Sequence, residues 1–194
     1  MAISSALNKT SKLRGLFNEA IRGDIGPKKV YENLLQNYLF AGFPATLISL
    51  KIFNEFYPDF DKEKEEFDQE RFRRRGVKFG KKVYGDKFSK LIKNVEKFSP
   101  EMSDWIVYEG YGKVLGRKGL SLAESEKSII LILTVTKYHD QLYSHINGAW
   151  RLGISINKIK ELIESLDLIG EKRKIDFGLK ILNEFKKNKG MDLF

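Results

Sequence analysis

The sequence predicts an all-α protein, a helical bundle carrying an internal duplication, on three observations. Apolar residues recur at helical spacing in one segment after another, and no stretch holds the period-two alternation of a strand. The segments are separated by helix starts (Pro27, Pro44, Ser99–Pro100–Glu101) and by stops (Gly23, Gly42, Gly153). Finally, sliding the chain by 129 residues lays 13–56 on 142–185 without a gap, with 14 of 44 positions identical. LKIFNEF at 50–56 falls on LKILNEF at 179–185, and Ala20, Arg22, Ile25, Lys29 and Glu32 fall on Ala149, Arg151, Ile154, Lys158 and Glu161. A match in register over that length argues for duplicated helical units packed with pseudo-symmetry.

Taken in order, residues 1 to about 10 are polar and expected to be loose. A first helix follows from Ser11, with Leu13, Leu16, Phe17, Ala20 and Ile21 as its stripe. Pro27 opens a second, which runs to Gly42, and Pro44 a third, which runs to Phe56 before Pro58. In residues 59–84 acidic groups precede basic ones, which suits a helix dipole, with Phe60, Phe67, Phe72 and Phe79 along one edge. Phe88, Leu91, Ile92, Val95 and Phe98 mark the next helix, and Pro100 starts another that reaches Gly116. Two helices fill 122–152, two more fill 155–185, and the tail from Lys186 is expected to fray. The organisation that follows is a truncated first repeat (1–60), connecting helices (61–98) and a second module (99–194).

At 194 residues, with 42% hydrophobic and 31% charged residues, the chain has the make-up of a globular protein with a sizeable core. It has no cysteine, which removes disulfides, thiolate nucleophiles and cysteine metal sites together. Its two histidines, His139 and His145, do not share a helical face, so no metal site is expected, and no cofactor. Neither a signal peptide nor a membrane-spanning stretch is visible, and the expected compartment is the cytoplasm. The net charge of +9 suits anionic partners, although most of the excess is lysine scattered along the chain. One basic cluster, Arg71, Arg73, Arg74, Arg75, Lys78, Lys81 and Lys82, lacks any recognised reading-helix motif, and nucleic acid is not the expected partner.

The chemistry-bearing stretch is RKGLSLAESEKSIILILTVTKYHDQLYSHINGAWRLG, residues 117–153. Ser121 with Glu124 is a capping box that starts a helix at Leu122. The run 129–133 leaves that helix without a polar face, so it is central and buried. Glu126 stands one turn before Ile129 and Ile130, where a carboxylate is desolvated and can serve as a proton carrier. Asp140 is placed to cap the next helix, whose inward stripe is Leu142, His145, Ala149 and Leu152. Helices joined by a short connection pack antiparallel, which brings His145 within reach of Glu126. In the first repeat Leu16 stands opposite His145, and nothing before Leu13 resembles 117–126, so any site belongs to the second half.

The pattern PE…W…EGYGKVLGRKGLSLAESE…QLYSHINGAWRLGIS resembles the carboxymuconolactone decarboxylase family, which includes the alkylhydroperoxidase D-type proteins. The matching residues are Tyr111–Gly112, Arg117, Gly119–Leu120, Glu126, His145 and Gly148–Ala149, and the match is most specific across 99–155. The resemblance implies the alkylhydroperoxidase D-like fold, a homo-oligomer, and acid–base catalysis by Glu126 and His145 on a small anionic lactone- or keto-acid-type substrate, by decarboxylation or isomerisation. Arg117 and Tyr111 would contact the substrate. The two cysteines of the peroxidase branch are replaced by Tyr138 and Gln141, which either line the same pocket or simply pack; thiol peroxidase chemistry is not available. Bland readings stand beside these: His145 and Glu126 as a satisfied core pair, Arg117 as a helix-end cation, and the whole chain as a catalytically silent assembly protein.

Overall fold

The computed structural model describes residues 1–191, and among these every regular element is a helix. Eleven helices follow one another: α1 (Ala2–Ala6), α2 (Thr10–Arg22), α3 (Pro27–Leu35), α4 (Tyr38–Phe56), α5 (Gln69–Tyr84), α6 (Lys87–Glu96), α7 (Pro100–Trp105), α8 (Leu122–Thr136), α9 (His139–Arg151), α10 (Ile156–Glu164) and α11 (Lys172–Asn188). α7 continues as a π-helical segment, Ile106–Val114, and a 3-10 turn, Ser165–Ile169, separates α10 from α11. α8 is the centre: Ile129, Ile130, Ile132 and Thr134 are fully enclosed, as its lack of a polar face requires.

Shifted by 129 residues, α2 and α3 take the bounds of α9 and α10. The buried positions keep step: Leu13, Phe17, Ala20, Leu34 and Phe53 pack together in one core, and their counterparts Leu142, Ile146, Ala149, Ile163 and Leu182 in another. Each leucine, isoleucine or phenylalanine among them contributes about 1.5–3 kcal/mol by leaving water.

Several expectations need correction. The first ten residues are not loose. α1 is short, but Ala2, Ile3, Ser4 and Ser5 are buried, Asn37 donates to the Ala2 carbonyl at 3.1 Å, and Ser49 bonds the Ser5 hydroxyl at 2.6 Å. The second helix stops at Leu35 rather than Gly42, and α4 begins at Tyr38 and bends at Gly42, whose φ of 79° suits a residue without Cβ. Residues 57–68 do not continue a helix into α5. Asp68 caps α5 by accepting from the Arg71 backbone, and Phe60 and Phe67 turn to different partners, Tyr31 and Phe53 for the first and Phe72 for the second. Tyr138, not Asp140, is the N-cap of α9, and α11 persists to Asn188. The part of the tail at 192–194 lies outside the described residues.

Helices α5 and α6 share one core with α8 and α9. α5 lies against the π segment so closely that a Cβ on Gly76 would stand 1.9 Å from the Val107 carbonyl oxygen, and one on Gly112 would stand 2.1 Å from that of Phe72. Val83 and Phe88 join the α8–α9 core.

The capping box of α8 is formed as expected: the Ser121 hydroxyl accepts from the Glu124 backbone and the Glu124 carboxylate accepts from the Ser121 backbone at 2.9 Å. Lys29, 2.7 Å from that carboxylate, and the Ser121 bonds hold the Glu124 carboxyl down at about 2. A depressed carboxyl stabilises the fold above its unfolded value near 4.5, and that contribution is lost as pH falls through about 2. Glu124→Gln keeps the box but not the charge. The melting temperature gap between wild type and Glu124→Gln should therefore be full at neutral pH and close across that window; a gap constant with pH would refute the assignment.

Candidate acid–base site

Glu126 leaves α8 towards α9 beside Gly148, where a Cβ would come 3.3 Å from the Glu126 Oε2 atom. His145 lies one turn earlier on α9, and its Nδ1 is 2.8 Å from that same oxygen. Glu126 is 1% exposed and His145 7%, so the pair is withdrawn from bulk water. A carboxylate can only accept, so it fixes the tautomer in which Nδ1–H donates and Nε2 keeps its lone pair. Phe40 and Tyr84 meet the imidazole edge-on, with ring centroids 6.0 and 6.4 Å away.

His145 forms part of the wall of an open cavity of about 710 Å³, bounded by the first limb of α4, α6, α7 with the π segment, and α9. Glu126 stands behind the imidazole, outside the lining. Beside His145 the Tyr111 hydroxyl donates to the Tyr84 hydroxyl at 3.2 Å, which leaves the Tyr84 proton free for another acceptor. Burial pushes Tyr84 up to about 12 and Tyr111 further, so both remain hydrogen-bond donors at neutral pH. At the lip, the Tyr38 hydroxyl donates to Glu109 at 2.6 Å. The arrangement offers a base on one wall and a phenol donor on another.

The residues singled out from sequence divide. Glu126 and His145 meet, and Tyr111 and Gln141 line the cavity. Tyr138 is 56% exposed at the start of α9 and does not line it. Nor does Arg117, whose guanidinium makes a bidentate pair with the buried Glu32 at 2.7 and 2.9 Å. Arg117 is thus occupied by a partner 85 residues away rather than free to hold a substrate carboxylate. The basic cluster is partly structural as well: Arg75 binds Glu65 and the Gly112 carbonyl, and Arg73 binds Asp104. Sequence reasoning missed Tyr84, Phe40, Tyr38 and Glu109. Tyr84 ends α5 just before Gly85 and carries no local mark of a site; its role comes from α5 packing along α9.

Among the described residues, no group of three or more metal-ligating side chains comes together, and no helix is long and apolar enough to cross a membrane.

No family model matches the chain. No solved structure matches it either. The chain is similar to Peroxisomal protein 2 of Schizosaccharomyces pombe, with 26% identity over 163 residues that cover 80% of this chain and 76% of that protein.

Proposed function

We propose that the chain is an acid–base enzyme of the carboxymuconolactone decarboxylase kind, acting as a carbon–carbon lyase or an isomerase on a small carbonyl compound. The observation that carries this is the His145 imidazole on the wall of the cavity with Glu126 behind it at 2.8 Å. Nε2 takes a proton from the carbon next to a carbonyl. The electron pair moves to the carbonyl oxygen, and the Tyr84 hydroxyl donates to the oxyanion that develops. Glu126 stabilises the imidazolium until the proton is returned to carbon. In a decarboxylation the ring starts as the imidazolium, with a proton from solvent on Nε2: carbon dioxide leaves, the electron pair of the broken C–C bond passes to the carbonyl oxygen, and the imidazolium protonates the carbon that it left. Incubating the protein with lactones and ketones and following both carbon dioxide release and double-bond migration tests the reading. If neither product forms with any of them, the proposal is wrong.

A second reading, a catalytically silent assembly protein of the same fold, draws on the cavity rim. Phe43, Phe98, Met102 and Trp105 are each at least 45% exposed there, an apolar surface of the kind found at contacts between chains. Both readings predict self-association. Sedimentation velocity at micromolar concentration should show an oligomer, and Trp105→Glu should shift it towards monomer; a clean wild-type monomer contradicts the expectation.

The name of the fission-yeast relative carries a compartment. A fluorescent fusion of this chain tests whether it shares that compartment or stays in the cytoplasm, as the sequence suggests.

A further inference from the structure

We infer that the substrate of this cavity is an uncharged, largely hydrocarbon carbonyl compound, and that the cavity selects against carboxylates. The inference rests on the acid–base reading above and narrows it to the isomerase branch, because the substrate of a decarboxylation carries a carboxylate. The wall is apolar where the substrate must lie: Phe40 of α4, Leu91 and Val95 of α6, Ile106 of the π segment and Leu115 at its end supply hydrocarbon. Its charged lining is of one sign. Glu109 and Asp140 are present, and among the described residues no lysine or arginine lines the cavity.

The basic groups beside those two carboxylates are already engaged. Lys113 lies 3.7 Å from Glu109, and the His139 ring lies 2.9 Å from Asp140 with its other nitrogen on Glu184. Arg117, the side chain best suited to grip a carboxylate, is bound to Glu32 outside this cavity. His145 could meet an anion only as an imidazolium, whose charge Glu126 already balances. A carboxylate entering here would lose its hydration, find no unpaired cation in the lining, and face the partly buried Glu109 carboxylate. A ketone or ester loses little hydration, buries its chain against the aromatic and aliphatic wall, and needs one donor, which Tyr84 supplies.

The step that follows is a proton shift without loss of carbon. The C–H bond next to the carbonyl breaks, its proton goes to Nε2, and its electron pair forms the enolate. Where the substrate is a β,γ-unsaturated carbonyl compound, the enolate is a dienolate; the same proton then bonds to its γ carbon as the carbonyl re-forms, and the double bond moves into conjugation. Nothing is oxidised or reduced, and no co-reactant is consumed.

The test is a matched pair of ten-carbon ligands, 2-decanone and decanoate, titrated into the full chain by calorimetry at about pH 7.5, where the acid is ionised. 2-Decanone should bind at least tenfold more tightly. Decanoate should tighten as the pH is lowered towards about 5 and a fraction becomes neutral. Glu109→Gln should narrow the gap at neutral pH. Equal affinity, a preference for decanoate, or no binding of either ligand would overturn the proposal. The readout is separate from turnover: His145→Gln should keep the preference while losing chemistry. A preference for 2-decanone in a protein with no exchange or turnover would leave the substrate class standing and remove the enzyme reading.

Discussion

Gly76→Ala is expected to destabilise the protein by about 3 kcal/mol or more, at the upper end of what overpacking costs. The new methyl would stand 1.9 Å from the Val107 carbonyl oxygen, 2.8 Å from its carbon and 3.2 Å from the Gly112 nitrogen. All three are backbone atoms, so no side chain can rotate away and α5 must separate from the π segment. Gly112→Ala makes the reciprocal clash with the Phe72 backbone at 2.1 Å and should cost a similar amount. Because α5 ends in Tyr84 and the π segment carries Tyr111, the separation should also break the phenol pair and weaken ligand binding beyond the loss of stability. Urea unfolding of each variant measures the effect. Gly15→Ala is the control: it lies within α2 with nothing within 4 Å, and it should be neutral or stabilise by about 0.5–1 kcal/mol. If Gly76→Ala unfolds at the same urea concentration as wild type, the packing of α5 on the π segment is not as described.

The other large effect concerns the buried pair. His145→Gln should lower turnover by about two to four orders of magnitude, the usual worth of a positioned acid–base group. Glutamine still offers an N–H to Glu126, so the fold should survive. Glu126→Leu should do two things at once. It leaves a buried imidazole nitrogen without its partner, at a cost of about 1–3 kcal/mol, and it frees the ring to take the wrong tautomer. A purely structural pair would give a different pattern: lower melting temperatures in both variants, with ligand binding and chemistry unmoved.

Much of this was legible in the sequence where the controlling physics is local. Helix spacing, the Ser121–Glu124 box and the prolines placed most of the helices, and the short α8–α9 connection forced Glu126 and His145 together. What was missed depends on distant partners. α1 is short and rich in small residues, and it is held by distant partners: Asn37 and Ser49 bond it, and Ile3 packs with Val135 and Leu166. The charge order of 59–84 imitates one helix, yet Phe60 and Phe67 serve separate clusters. The π segment and its C-cap set Gly110 and Leu115, five residues apart, on the cavity together, a spacing an α-helical reading would not group, with the Leu115 N–H donating to the Gly110 carbonyl. Arg117 was misplaced because Glu32, its partner, is far away in sequence and close in space.

The most direct test of the central claim is deuterium exchange at the carbon next to the carbonyl of a bound ketone, followed by proton NMR in heavy water. Wild type should exchange that position faster than buffer, His145→Gln and Glu126→Gln should fall to or near the buffer rate, and Tyr84→Phe should lie between. Exchange in His145→Gln as fast as in wild type would contradict the account, because the imidazole would then not be the group that carries the proton.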